Sequence, residues 1–484
     1  MQLVKSIVFQ SRFHESEPAI AFPGGVATYG SLMKSILSAV DALRIFELEP
    51  GSHVMLDIRN PIHHTAAIFA LALMGLPSSS VGSAFVAGTS GYLPKLFLTD
   101  RDDVQVAGVR NIRVDERWFA SDPATRPDYN RLLSLPGFAS PQNVVRYVYS
   151  SGTTGYPKCV ALTEACLDLR ISRGATARSW WMSGPAGLNM MGFSTIMGIS
   201  MPLTAHLAGA VLCYAASPAE ALQMIQVFRV SALIMAVGQL QAFYRVFADQ
   251  RPPVSLKILA IVGAKISQSF LAEARARICD TVAFGYGSTE MGGVTSGFAT
   301  TIDQPEGFAG YVVPWVKIEA VDENGQLVAA GIEGTLRVQT DELAYYVDSE
   351  GRRVEMLEDG WFYPGDVGRI AADGSVVITG RSSEVINRGG VVVAPDAIEE
   401  VLRLDKRITD VAVVGVPNPQ GVEEIWAGVV ADSLLDTKAI IDAARPRLNE
   451  KTPDRVIQVP SIPRAESAKV RRGQLREMLL AKSS

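Results

Sequence analysis

Tyr149-Ser150-Ser151-Gly152-Thr153-Thr154-Gly155-Tyr156-Pro157-Lys158 decides how the rest of this 484-residue chain reads. It follows an apolar β-type run, Val144 to Val148, so it stands where a strand ends and a loop begins. Two glycines, two serines and two threonines make a backbone that folds closely around an anion, with N–H and O–H donors turned inward. Lys158 adds a compact positive charge suited to phosphate. The spacing is not that of a Walker A loop, because Gly155 is followed by Tyr156 rather than by lysine. Pro157-Lys158 stiffens the end of the loop, which a free Ser/Thr/Gly linker does not require.

Composition narrows the function classes. Hydrophobic residues make up 48% and charged residues 20%, ordinary values for a globular protein, and the length favours more than one domain. A net charge of -5 gives no broad attraction to nucleic acid or to an anionic membrane. The four cysteines have no C-x-x-C spacing and only five histidines are present, so a zinc site is not expected and the thiols read as buried and reduced. No basic-then-apolar leader opens the sequence, and the expected compartment is the cytoplasm. The apolar runs Ala66–Leu76 and Gly198–Ala216 are too short, or broken by Pro202 and His206, to read as membrane spans.

Strands and helices alternate around the loop. Thr28 precedes a helical stripe of Leu32, Ile36, Val40 and Leu43 and is placed to cap it. Strands are expected at His53–Ile58, Leu96–Asp100, Val211–Tyr214, Ala232–Val237 and Ile258–Val262, with helices over Thr65–Met74, Ala219–Arg229 and Gln239–Ala248. This alternation predicts an α/β fold with helices covering both faces of its sheets. His63-His64 does not read as a metal pair, because neighbours on a helix point to different faces. From Gly310 the pattern becomes β-type with hairpin turns at Asp322-Glu323-Asn324-Gly325 and Ala372-Asp373-Gly374, predicting a small antiparallel subdomain or barrel. The last hundred residues read as a separate α+β unit: Ala394-Pro395-Asp396 opening a helix, strands at Val411–Val416 and Trp426–Val430, and a helix over Thr437–Leu448.

Four further segments carry chemistry. Phe284-Gly285-Tyr286-Gly287-Ser288-Thr289-Glu290 crowds an aromatic ring, hydroxyls and a carboxylate into glycine turns after a strand. Tyr286 offers a flat face to a purine, Thr289 a hydroxyl to phosphate, and Glu290 a hard oxygen to Mg²⁺. Gly360-Trp361-Phe362-Tyr363-Pro364-Gly365-Asp366 ends in a carboxylate able to accept from two sugar hydroxyls. Gly380-Arg381-Ser382-Ser383-Glu384 and Ile462-Pro463-Arg464-Ala465-Glu466-Ser467-Ala468-Lys469 follow in that order.

Taken in sequence, these five segments resemble the ordered motifs of the adenylate-forming superfamily, over roughly Thr28 to Leu475. That resemblance implies a large N-terminal domain, 1–381, whose last part, about 308–381, is β-barrel-like, and a small mobile C-terminal domain, 382–484, hinged at Ser383. It implies ATP and Mg²⁺ as cofactors, a small carboxylic acid as substrate, and CoA or the phosphopantetheine of a carrier protein acting in trans as acceptor. By resemblance, Ser150, Ser151, Gly152, Thr153, Thr154, Gly155 and Lys158 hold phosphates, and Glu290 holds the metal. Gly263, Ala264, Tyr286 and Gly287 line the nucleotide site, Asp366 and Arg381 fix the ribose, and Gly285, Phe193 and Ser194 face the acid. Thr289, Glu290 and Lys469 form the catalytic set, with Lys469 bridging the carboxylate and the α-phosphate. The sequence departs from the family pattern at Pro364, Ser383, Asn387 and Ala468. Ser194 stands where amino-acid-activating relatives have Asp and many acyl and aryl relatives have His. An uncharged tail, aryl or short to medium aliphatic, is therefore expected. The alternatives are a stand-alone enzyme that loads a carrier protein and a catalytically degenerate nucleotide-binding scaffold.

Overall fold

In the computed structural model the chain is α/β, built on two helix-covered sheets with a smaller α+β unit at its C-terminal end. The structure describes residues 2–81, 92–150, 158–177, 184, 186–246, 255–263, 268–299, 304–305, 307–381, 386–388, 391–393, 395–418, 423–464 and 470–483.

The first sheet carries the anchor of the phosphate loop. Its parallel part is Arg110–Arg113, Leu96–Thr99, Val54–Asp57, Ser78–Ser80 and Val144–Ser150. The strands Val54–Asp57 and Leu96–Thr99 are buried at every position, as expected of strands covered on both faces. Val144–Ser150 then turns back on itself, and Lys158–Thr163 pairs with it antiparallel, setting Ser150 opposite Lys158. The loop is thus the connection of a hairpin, not the strand-to-helix turn of a Walker loop. Tyr345–Val347 adds to the far side of Lys158–Thr163, so part of the region expected as a separate β subdomain is built into this sheet.

The second sheet begins parallel, through Pro18–Phe22, Val211–Tyr214, Ala186–Asn189, Ala232–Ala236, Ile258–Val262 and Val282–Phe284. At Thr295–Ala299 it turns antiparallel and continues through Phe308–Val312, Ser375–Arg381, Asp366–Ile370 and Glu333–Gln339. Among the described residues this path stays open. The expected barrel-like part is an antiparallel extension of the sheet, because Thr295–Ala299 pairs on both its edges.

Helix starts follow the local chemistry. Thr28 Oγ1 accepts from the Ser31 N–H at 3.1 Å and caps Tyr29–Arg44, whose Leu32, Ile36, Val40 and Leu43 are buried. The helix expected from Thr65 starts earlier, at Pro61, because Asn60 caps it and proline suits the first turn. Pro202 is held within Ile196–Leu207 rather than ending it. No described helix is long and apolar enough to cross a membrane. All four cysteines are buried and unbridged.

The C-terminal unit has a core of its own. Asp410–Pro417, Glu423–Val430 and Arg455–Gln458 form a three-stranded sheet. Val411 and Val413 pack with Ile398, Leu402 and Ile440 on one face, while Ala412 and Val414 pack with Leu475 and Leu479 on the other. The two-residue period of the strand thus buries both of its faces under helices.

Candidate active site

Three stretches meet beside the hairpin that holds the phosphate loop. Lys158 is exposed, with Nζ 4.8 Å from the centre of the Tyr346 ring. The Tyr346 hydroxyl donates to Glu290 Oε1 at 2.9 Å. One tyrosine therefore touches both the cation at the end of the phosphate loop and the carboxylate expected to meet the metal. Burial raises the Tyr346 pKa above its ordinary value, and the facing Glu290 adds to the shift, so the hydroxyl stays a donor. Ser151, Gly152, Thr153, Thr154 and Gly155 lie outside the described residues, as do Ala264, Ser383 and Lys469.

Glycine makes the segment around Glu290 possible. A side chain at Gly285 would run into the carbonyl of Thr295, and one at Gly287 into that of Gly292. The ribbon between them, Gly287–Ser288 against Gly292–Gly293, bends back tightly, and Ser288 Oγ accepts from the Glu290 N–H at 3.2 Å. Glu290 is 9% exposed and forms no ion pair among the described residues. Such a carboxylate suits a hard cation that takes its remaining ligands from phosphates and water, so the residue fits Mg²⁺.

The sugar-side residues also meet. Asp366 and Arg381 are opposite one another in neighbouring strands, and Arg381 Nε lies 3.1 Å from Asp366 Oδ1. The Tyr286 hydroxyl donates to Asp366 Oδ2 at 2.5 Å. Burial and this carboxylate together hold the Tyr286 pKa well above the ordinary value. Both Asp366 oxygens thus have protein partners, and sugar hydroxyls must share or replace these bonds.

Sequence reasoning missed Arg170. It sits on the helix Glu164–Ala177, 5% exposed, and donates to the carbonyls of Thr289 at 2.8 Å, Glu290 at 2.8 Å and Glu342 at 2.7 Å. It therefore fastens the Thr289-Glu290 backbone to the segment leading to Tyr346. A lone arginine on an amphipathic helix reads as a solvated charge, and no local pattern marks it otherwise.

On the acid side, Phe193 lies between two rings: His64, stacked at 4.1 Å, and Tyr214, tilted at 5.2 Å. Ser194 follows it, part-exposed, and Gly263 turns at φ +93° after its strand. His64 Nδ1 meets the Ile58 carbonyl at 2.8 Å and Nε2 meets Ser80 Oγ at 2.6 Å. His63 faces elsewhere, stacked on Phe119. Below this layer Arg146 donates to Ser78, Ser80 and the Phe193 carbonyl.

Comparison with known proteins shows the family. Residues 9–345 match the family model described as AMP-binding enzyme, and 397–469 match the AMP-binding enzyme C-terminal domain. The chain is 26% identical to a fatty acid–[acyl-carrier-protein] ligase, ScoC, of Streptomyces coeruleorubidus, over 98% of this chain and 96% of the relative. It is 27% identical to a 4-chlorobenzoate–CoA ligase of Arthrobacter sp. over 72% of this chain and 68% of the relative. Its fold resembles that of o-succinylbenzoate CoA synthetase from Bacillus subtilis, solved with its acyl-adenylate, at a TM-score of 0.84 and 19% identity, with 98% of both chains covered. It also resembles the amide bond synthetase McbA from Marinactinospora thermotolerans, at a TM-score of 0.79 and 21% identity, with 98% of this chain and 99% of that one covered. The order of the motifs, the meeting of Glu290, Tyr346 and Lys158, and the two family matches lead to one conclusion: this chain belongs to the AMP-binding enzyme family.

Proposed function

We propose that this enzyme activates a carboxylic acid with ATP and passes the acyl group to a thiol, with CoA as the acceptor. The observation that carries the reading is the convergence on Glu290 and Asp366 of residues from distant segments: Lys158, Tyr286, Tyr346 and Arg381. In the first step a carboxylate oxygen bonds to the α-phosphorus of ATP, the bond to pyrophosphate breaks, and an acyl-adenylate remains. In the second the sulfur of the thiol bonds to the acyl carbon, the thiol proton is lost to solvent, and AMP leaves.

The physical difficulty is to bring one anion onto another and to hold the charge that develops as pyrophosphate departs. Lys158, with Thr153 and Thr154, takes the β- and γ-phosphates. Glu290 would hold Mg²⁺, which neutralises phosphate charge when bound. Asp366 and Arg381 orient the ribose, and Tyr286 presents its ring to the base while its hydroxyl steadies Asp366. Lys469 bridges the acid and the α-phosphate. The separate core of the C-terminal unit supports a boundary near Arg381, with Ser383 as hinge, so that the unit carrying Lys469 turns away for thiol transfer. No protein nucleophile is required.

Ser194 beside Phe193 supports an acid with an uncharged tail, aryl or short to medium aliphatic. A second acceptor, a carrier protein acting in trans, is supported by the similarity to ScoC along nearly the whole chain. Trapping acyl-adenylates with hydroxylamine over a panel of carboxylic acids tests the first step. Offering CoA and a phosphopantetheinylated carrier separately then decides the acceptor. Nucleotide binding without hydroxamate or pyrophosphate from any acid would support a degenerate scaffold instead.

A further inference from the structure

Arg146 is a cation that meets no counter-ion among the described residues. It lies in the strand that leads into the phosphate loop, is 2% exposed, and forms no ion pair among the described residues. Its guanidinium donates to Ser78 Oγ at 2.8 Å, to Ser80 Oγ at 2.5 Å and to the Phe193 carbonyl at 2.9 Å, while its buried Nε has no partner. All its partners among the described residues are neutral. Removing an arginine from water without a facing carboxylate is costly, and neutral donors and acceptors offset only part of that cost. Cross-bracing alone does not need the charge: a neutral side chain could link two serines and a carbonyl. The charge also acts on its surroundings. His53 and His64 are held neutral first by burial, with Arg146 adding to the effect in both.

What distinguishes the place is its nearest backbone neighbour. The carbonyl that Arg146 grips belongs to Phe193, the aromatic that stacks on His64, and Ser80 joins the arginine to that histidine. Arginine, serine, histidine and phenylalanine thus form one unit, with its charge at one end and its aromatic ring at the other.

We propose that Arg146 is a specificity determinant of the acid site, rejecting acids whose remote end carries an ammonium group and so helping to keep the site to the uncharged tails read above. This rests on the reading of Phe193 as an acid-site residue given above. The charge acts across the Phe193 wall, so that no direct contact with the tail is required. At an effective dielectric constant of about 20, a unit charge roughly 8 Å away shifts affinity by more than about tenfold. Ser194 removes a carboxylate that would favour an ammonium group, and Arg146 supplies the opposing sign.

The test uses the full-length enzyme and three acids of matched shape, with a neutral, a carboxylate and an ammonium tail. The kcat/KM for hydroxamate formation is measured with each. The wild type is expected to disfavour the ammonium tail by at least about tenfold against the neutral tail, and by no less against the carboxylate tail. Arg146→Met is expected to collapse that ratio. A merely structural arginine would lower kcat/KM for all three acids together and leave the ratio unchanged, which overturns the proposal. A wild type indifferent to tail charge, or one that prefers the ammonium tail, overturns it without any variant. Failure of every acid to give hydroxamate would instead sink the adenylation reading itself.

Discussion

Acid should weaken this protein well above the pH at which carboxylates titrate, because three histidines are buried uncharged. His53, His64 and His206 are at most 3% exposed. Burial lowers them from an ordinary 6.5 to about 3, about 3 and about 4 respectively. The unfolded chain takes up their protons near 6.5 and the folded chain does not, so stability falls as pH falls through that value and continues to fall toward the folded values. Between about pH 7.5 and about pH 5.5 each ring costs about 1.4 kcal/mol, or about 4 kcal/mol for three. Carboxyls raised by burial oppose them, Asp168 the most clearly. Burial and the nearby Glu164 raise Asp168 to about 6, so its proton uptake in the folded state returns less than about 1 kcal/mol over the same range, and less again because it is partly solvated. The net loss, about 3 kcal/mol, is a large share of an ordinary stability of about 5–15 kcal/mol. Urea unfolding followed by circular dichroism should show the midpoint moving down by the corresponding amount, and Asp168→Asn should deepen the loss. An unchanged midpoint at the two pH values, or an imidazole of His64 that titrates near 6.5 by NMR, would falsify the reasoning.

Three further outcomes are expected. Arg170→Met leaves two buried carbonyls and one part-buried carbonyl short of a charged donor and should cost about 3 kcal/mol or more while raising the Mg²⁺ concentration needed for pyrophosphate release; wild-type values for both would refute its role as a fastener. Tyr346→Phe removes the hydroxyl held at 2.9 Å from Glu290 and should cost about 1 kcal/mol, with a change in the Mg²⁺ dependence measured by titration at fixed ATP. An unaltered Mg²⁺ curve would show that Glu290 does not depend on Tyr346. Lys469→Ala should abolish adenylation yet leave thiolation of a supplied acyl-adenylate largely intact, and survival of both half-reactions would remove the role given to that lysine.

Much of the fold was legible because it is written in local terms. Short runs of three apolar residues closed by a polar one, Val54–Asp57 and Leu96–Thr99, announced covered strands, and Thr28 announced its helix. The start at Pro61 is hidden by an apolar stripe that is densest after Thr65, although Asn60-Pro61 is itself a cap signal. The open antiparallel extension was not legible, since hairpin turns state that strands pair in sequence and say nothing of what lies on their outer edges. Nor did any pattern show that Tyr345–Val347 would leave its neighbours to pair with Lys158–Thr163.

The amino-acid order by itself determined the chemical parts: glycines where side chains would meet backbone, a carboxylate at 290, another at 366, and lysines at 158 and 469. Those choices depend on turn geometry and functional-group type, which neighbours in sequence impose. Only the tertiary structure decided which polar groups face one another. Arg170 reaches carbonyls 119 and 172 residues away, and Arg146 grips a carbonyl 47 residues away with no balancing charge among the described residues. A buried donor takes whichever acceptor packing brings to it, and packing is settled by the whole core at once, not by the residues on either side.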